Sequence, residues 1–325
     1  MFLEALERIL STHAGSDAIR RLDGGGPAGA VWRPIEEAGF LALMLPQEQG
    51  GAELTLPELF PILECLGRHA MPLPVAQSIA AHGLVGTRAT LPAGLLTIAT
   101  RLQRLPGGGL RCPHTPCGAV ADHVLVADGD SLLLLPGATA TRETVGDPRS
   151  LVAHLAWAQP APALELPTGG RHLEPLAAAL MAAMLSGAMQ RTFDMALDQC
   201  NNRIQFGKSI GKFQALQQQL SVMAEQVLAA TIAAEAACRA PGVVPSVVAA
   251  AVAKSRASEA AAVVAAIAHA VHGAIGMTEE FDLGLLTRRL HDWRLAYGAE
   301  HHWNRVIGEQ LLASRETLAD FVRAV

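Results

Sequence analysis

Between residues 56 and 66 the apolar side chains fall at Leu56, Leu59, Ile62, Leu63 and Leu66. That is the spacing of one helical face, and Gly67-Arg68 read as its end. Trp32 to Gly39 reads as a shorter helix with a glycine stop, Leu41 to Leu45 as an apolar run and Pro46 to Gly51 as a loop. Beyond Pro72 and Pro74, Ser78 to Gly86 suggests another helix. The pattern changes after about residue 90. Leu95 to Ile98, Ala119 to Ala127 and Leu132 to Leu135 are apolar runs of strand length, divided by Pro106-Gly107-Gly108-Gly109, Gly129 and Pro136-Gly137. From about residue 173 helical spacing returns in long segments. Leu216, Leu220, Met223 and Val227 share a face, Pro241-Gly242 and Pro245 interrupt, and an Ala/Val-rich helix follows over 246–272. A helix from about Ala299 to Leu312 and one capped by Thr317 end the chain. The pattern predicts a mainly α protein with a small β domain: helical over 1–90, β over 91–172, and a C-terminal four-helix bundle over 173–325.

Composition narrows the function. Half of the 325 residues are apolar, which excludes a disordered chain, and 25 Lys+Arg against 30 Asp+Glu give a net charge of -5. No basic excess speaks for nucleic acid. The apolar tract Ala260 to Ile275, broken by His269 and His272, is short for a bilayer, so no membrane span is expected. The opening MFLEALERIL lacks a basic region and a cleavage site. Five scattered cysteines, an odd number, favour free thiols in a reducing cytoplasm. Cys112-Pro-His-Thr-Pro-Cys117 has no second cysteine pair after it, so it reads as a turn-rich loop and no metal is expected.

The segment richest in chemistry is Arg203-Ile204-Gln205-Phe206-Gly207-Lys208-Ser209-Ile210-Gly211-Lys212-Phe213-Gln214-Ala215, set between two long helices. A guanidinium and amides beside flat apolar surface suit a phosphate-bearing ligand. The residues alone leave a second reading open: a plain connection anchored by its phenylalanines.

Arg-x-x-Phe-Gly-x-x-Ile-x-x-Phe-Gln-Ala resembles the flavin-binding signature of the acyl-CoA dehydrogenase family. His272-Gly273-Ala274-Ile275-Gly276-Met277-Thr278-Glu279-Glu280, with Arg288 beyond it, resembles that family's C-terminal glycine loop. Trp32 to Gly39 and Leu-Pro-Gln-Glu-Gln-Gly-Gly resemble its opening domain, and the helical–β–helical order is the same. The resemblance implies FAD held between subunits, with Arg203 on the pyrophosphate and Phe206, Gln214, Gln205, Ile210, Phe213, Gly273 and Ala274 around the nucleotide. Ala270 and Ala274 stand where the family often has glutamine and a second glycine.

The implied reaction removes an α-proton from an acyl-CoA thioester while hydride passes from the β-carbon to the flavin, which an electron-acceptor flavoprotein reoxidises. A carboxylate is the usual base. The family's usual glutamate position falls here on Tyr297, and its second possible position on Ala177. Ionising a phenol of pKa about 10 at pH 7 costs roughly 4 kcal/mol. Tyr297 is therefore a poor base. Glu300, one turn on, is the nearest replacement, with Asp292 and Glu174 as further candidates; Glu300 also reads as a helix N-terminal acid. His301 and His302 read as surface or interface residues.

Three expectations follow. The chain is a dehydrogenase subunit in a heteromer whose related partner supplies the base, or a homomeric dehydrogenase with a relocated base, or a non-catalytic flavoprotein scaffold. In the first case sterol side-chain thioesters are among the expected substrates.

Overall fold

The computed structural model describes residues 2–169 and 172–323. The expected junction between the β region and the last helical region adjoins residues 170 and 171, outside the described residues. Five helices come first: α1 (Phe2–His13), α2 (Ser16–Asp23), α3 (Gly29–Glu37), α4 (Leu56–Arg68) and α5 (Val75–Val85). The Glu58 carboxylate accepts from the Thr55 backbone N–H at 2.9 Å and from its hydroxyl at 2.7 Å, which fixes the start of α4. The helix ends at Arg68, as the Gly67-Arg68 reading expects, with Gly67 buried in its last turn. Gly39 does follow α3 with a left-handed backbone.

The middle of the chain folds as two four-stranded sheets. One has the order β1 (Leu96–Ala99), β4 (His123–Asp128), β5 (Ser131–Pro136) and β8 (Leu164–Pro167). Its β1–β4 pair is parallel and its other pairs are antiparallel. The second has the order β2 (Gln103–Arg104), β3 (Leu110–Thr115), β7 (Ala153–Trp157) and β6 (Thr141–Thr144), all antiparallel. The run beginning at Ala119 becomes a strand only at His123. The Cys112–Cys117 stretch is not only a loop, because Cys112 to Thr115 close β3 across a register shift against β7. Trp157 and Cys112 are buried with Val124 and Leu135 in a core of their own between the sheets.

Beyond residue 172 come α6 (Leu173–Asn202), a hairpin of β9 (Ile204–Gln205) and β10 (Lys208–Ser209), α7 (Gln214–Cys238), α8 (Val247–His272), α9 (Leu283–Leu295), α10 (Glu300–Ala313) and α11 (Leu318–Arg323). Ser246 caps α8 by accepting from the Ala249 N–H at 3.1 Å. Buried alanines on α6 and α8 leave little side chain between the axes, so these helices pack closely. The described residues thus form a mainly α protein with a small β region, as the pattern predicts.

Three helical stretches, Leu173–Asn202, Gln214–Cys238 and Val247–Met277, are long and apolar enough to cross a membrane by length and composition. This is wider than the single tract weighed from sequence. The apolar window of the first is 89% buried within this fold, against 28% and 44% for the others. The difference is an apolar surface on α7 and α8 carrying Val222, Leu228, Ile232 and Val263.

Candidate functional site

The bundle separates the expected site residues into two groups. α6 and α7 are joined by the hairpin, so the end of α6 and the start of α7 share one end of the bundle. Gln226 on α7 meets Arg256 on α8, while Ala233 and Ala236 lie near Ala249 and Val252. The two helices therefore run antiparallel, which returns the end of α8, with Gly273 and Ala274, to the hairpin end. There Arg203, Gln205, Phe206, Gln214, Gly273 and Ala274 are exposed. Phe206 is 90% exposed and has a positive φ of 52°. Ile210 is buried and Phe213 half-buried, so these two anchor the loop. The Phe206 and Phe213 rings meet edge to face at 6.1 Å, and Lys208 Nζ lies 4.3 Å from the Phe213 centroid. Among the described residues the Arg203 side chain makes no hydrogen bond or ion pair. Its five donors face solvent.

The expected base positions lie at the other end. Ala177 is buried near the start of α6. Trp303 packs on Ala178, Ala250 and Ala251, and His302 Nε2 lies 2.9 Å from the Glu174 carboxylate, which ties the α9–α10 turn to that same end. The 30-residue α6 spans about 45 Å between the two groups.

At this second end a cavity of about 550 Å³ opens between the β3 end, the 145–152 loop and residues 292–302. Tyr297 lines it but is buried, with a positive φ of 57°. Its hydroxyl donates to the Ile98 carbonyl at 3.1 Å and accepts from Gln77 Nε2 at 3.4 Å. Burial pushes the phenol well above its ordinary pKa, so it stays protonated. Its carbonyl accepts from Trp303 Nε1 at 3.0 Å. The side chain pins α9 to β1 and α5.

Glu300 does not line the cavity. It is buried at the first position of α10, and Arg294 grips both carboxylate oxygens, Nε at 3.0 Å from Oε2 and Nη2 on Oε1. The Arg294 hydrogen bonds, against a smaller effect of burial, bring its pKa down to about 2. Lys254, fully buried, donates to Ser258 Oγ, the Arg294 carbonyl and the Gly298 carbonyl at 2.8, 2.8 and 2.9 Å. Desolvation lowers its pKa to about 7. Asp292 does line the cavity, and its buried Oδ2 has no hydrogen-bond partner among the described residues. The Arg289 guanidinium lies 3.9 Å away. Burial raises the Asp292 pKa to about 6.

Sequence reasoning missed Gln77 and Lys254. A lone lysine within an alanine-rich helix was the available signal for Lys254. Gln77 offered none, because its partner lies 220 residues away.

Two family models match the chain: the N-terminal domain of acyl-CoA dehydrogenase over residues 1–94 and its C-terminal domain over residues 176–312. The chain belongs to the acyl-CoA dehydrogenase family. It is 29% identical over 233 residues to acyl-CoA dehydrogenase IpdE2 of Mycobacterium tuberculosis, covering 71% of this chain and 72% of that one. The ChsE4–ChsE5 complex of M. tuberculosis contains a chain of the same fold, with TM-score 0.83, 20% identity and 97% of each chain covered. The Tcur3481–Tcur3483 steroid acyl-CoA dehydrogenase gives TM-score 0.80 at 23% identity, over 95% of this chain and 96% of that one.

Members of this family bind FAD. The exposed Arg203 guanidinium, the exposed Phe206 ring and the open backbone at Gly273 fit the phosphates and adenosine of such a dinucleotide, although Ala270 and Ala274 contribute no side-chain donors.

Proposed function

We propose that this acyl-CoA dehydrogenase chain works paired with a related chain, lending its Arg203 end to a flavin whose reacting ring lies in the partner, and that the partner supplies the catalytic carboxylate. The observation that carries this reading is the state of the expected base positions. Ala177 has no acid, Tyr297 is a neutral phenol spent on Ile98, and Glu300 is sequestered by Arg294.

The separation of the two groups supports the same reading. A single flavin does not bridge the length of α6, so the Arg203 loop and the cavity of one chain serve different flavins. Bound FAD would supply the hydride acceptor for the substrate β-carbon. This chain's residues bind and orient. Arg203 would donate to the diphosphate, Phe206 and Phe213 would shield the nucleotide, and Gln205, Ile210, Gln214, Gly273 and Ala274 would border it. The substrate is a CoA thioester, and a sterol-derived acyl group is favoured because one structural neighbour is a steroid acyl-CoA dehydrogenase. An electron-acceptor flavoprotein completes turnover. Five buried free thiols suit a reducing compartment such as the cytoplasm.

The test is co-expression with a related chain that has a glutamate at the position of Tyr297. Flavin per heteromer and turnover of a panel of steroid and straight-chain CoA esters are then measured, with and without this chain. Stable flavin and turnover in the pair alone is the expected result. Equal activity from either chain by itself would end the proposal.

One observation favours a second reading, a homomeric enzyme with a relocated base. Asp292 lines the cavity, its buried Oδ2 makes no hydrogen bond and lies 3.9 Å from Arg289, and its pKa is near the useful range. Turnover by this chain alone, abolished in Asp292→Asn, would select that reading. Failure to retain flavin with any partner would instead leave a non-catalytic scaffold.

A further inference from the structure

α1 and α4 cross near a cavity of about 290 Å³ that Glu7 and His69 help to line. Cys65 and His69 sit four residues apart on and just beyond the last turn of α4, so both side chains project from one face. Glu7 reaches them from α1. The Cys65 thiol donates to Glu7 Oε2 at 3.0 Å, and His69 Nε2 lies 3.0 Å from Glu7 Oε1. One sulfur, one ring nitrogen and one carboxylate oxygen thus stand within 4.8 Å of one another. In a tetrahedral zinc site, with bonds of about 2.0–2.3 Å, neighbouring ligand atoms stand roughly 3.3–3.5 Å apart, so small side-chain rotations suffice. Cys65 is buried at 2% exposure, whereas Glu7 is exposed and His69 half-buried on the cavity side. Arg68, next to His69, is turned to Asp194 at 3.2 Å, so its charge is already engaged.

We propose that Glu7, Cys65 and His69 form a three-ligand site for a borderline divalent cation of the zinc type, with water from the cavity as fourth ligand, clipping α1 to α4. A thiolate, an imidazole and a carboxylate together select zinc over magnesium or calcium, which prefer all-oxygen shells. Binding replaces a proton with a metal bond. The S–H bond breaks, the thiolate electron pair coordinates the cation, and the proton goes to solvent. His69 coordinates through Nε2, and the Nε2 proton that Glu7 Oε1 accepts in the free chain is exchanged through solvent for one on Nδ1. One proton is released from the thiol per cation bound, so affinity falls as pH falls. The site is independent of the flavin reading.

The test uses the full untagged chain titrated with Co²⁺ and then Zn²⁺. The expected result is one equivalent of Co²⁺ with a thiolate-to-cobalt charge-transfer band and tetrahedral d–d bands, both displaced by Zn²⁺. Cys65→Ser removes the charge-transfer band, and His69→Ala and Glu7→Gln each weaken binding at least tenfold, while Cys112→Ser changes nothing. If Cys65→Ser fails to fold, the Glu7→Gln variant at the exposed ligand carries the comparison. No charge-transfer band in the wild-type chain, or a band unchanged in Cys65→Ser or in Glu7→Gln, overturns the site.

Discussion

Gly67 on α4 and Gly187 on α6 each stand against the other helix's backbone. A Cβ on Gly67 would lie 2.0 Å from the Met184 carbonyl oxygen, and one on Gly187 would lie 2.0 Å from that of Glu64. Two glycines thus set the distance between the N-terminal helices and the bundle. No flexible side chain can move aside, because the obstacle at both positions is backbone. Gly67→Ala and Gly187→Ala should therefore each cost about 2–3 kcal/mol or more by forcing the helices apart. Urea denaturation measures this, and the double variant should cost less than the sum, because one separation relieves both clashes.

Gly67 also shows where sequence reading stops. Glycine after an apolar face is a reasonable helix end, and the helices do end near Gly39 and at Gly67-Arg68. At Gly67 the reason for glycine is the partner helix, which lies more than a hundred residues away. The long helices were legible because 3.6-residue periodicity is local. So was the Arg203 loop, whose chemistry-bearing residues lie within one short segment. The β region was less so. β6 is wholly exposed and β8 only half-buried, and β3 contains Pro113, so neither alternation nor apolar runs marked them. The cavity end joins Gln77, Ile98, Asp292 and Tyr297 from separate elements, and no spacing along the chain encodes that meeting.

The buried Arg289 guanidinium binds Asp23 and donates to the Ala70 carbonyl at 3.2 Å and the Arg149 carbonyl at 3.1 Å. It ties α9 to α2, to the end of α4 and to the β-region loop. Both ionic partners are buried, and Arg288 Nη1 also donates to Asp23 Oδ2 at 2.8 Å, so removing Arg289 leaves Asp23 one partner, whereas removing Asp23 takes the paired anion from a buried guanidinium. Asp23→Asn should cost about 3–5 kcal/mol, and Arg289→Met less, because Arg288 still pairs Asp23. The double variant Asp23→Leu with Arg289→Met should recover part of the loss. Thermal unfolding of the four proteins gives the comparison.

Tyr297→Phe isolates the phenol. It removes the donor to Ile98 O and leaves Gln77 with one fewer acceptor, so stability should fall by about 1 kcal/mol. Turnover of the paired enzyme should stay within about twofold of wild type, whereas loss of a general base would cost about 10²–10⁴-fold. Steady-state kinetics on the heteromer separates the two roles.

Glu300 supplies a pH-dependent contribution. Its folded pKa of about 2 lies below the ordinary carboxylate value, so the Arg294 pairing stabilises the fold above that ordinary value. As pH falls from about 4.5 toward 2, the unfolded chain binds a proton that the folded chain refuses, and the contribution is lost. Glu300→Gln should lower stability at pH 7, and the gap to wild type should narrow across that window. Denaturant midpoints between pH 7 and 3 record it. Coinciding wild-type and variant curves at pH 7 would show that the pair contributes nothing.

Arg203 gives the sharpest test of the flavin reading, because its guanidinium has no structural duty among the described residues. Arg203→Ala should leave the unfolding midpoint of the isolated chain unchanged within about 0.5 kcal/mol, as for other exposed positions. In the purified pair it should lower bound flavin, since a diphosphate loses charge-assisted hydrogen bonds worth about 1.5–3 kcal/mol, a ten- to hundredfold weaker affinity. Arg203→Lys should restore only part of it, because an ammonium keeps the charge without the planar fork. Flavin content is read from the absorbance ratio of the purified complex and affinity from titration of the apoprotein. Unchanged flavin in Arg203→Ala would place the diphosphate elsewhere and remove the reason for assigning this loop to the nucleotide.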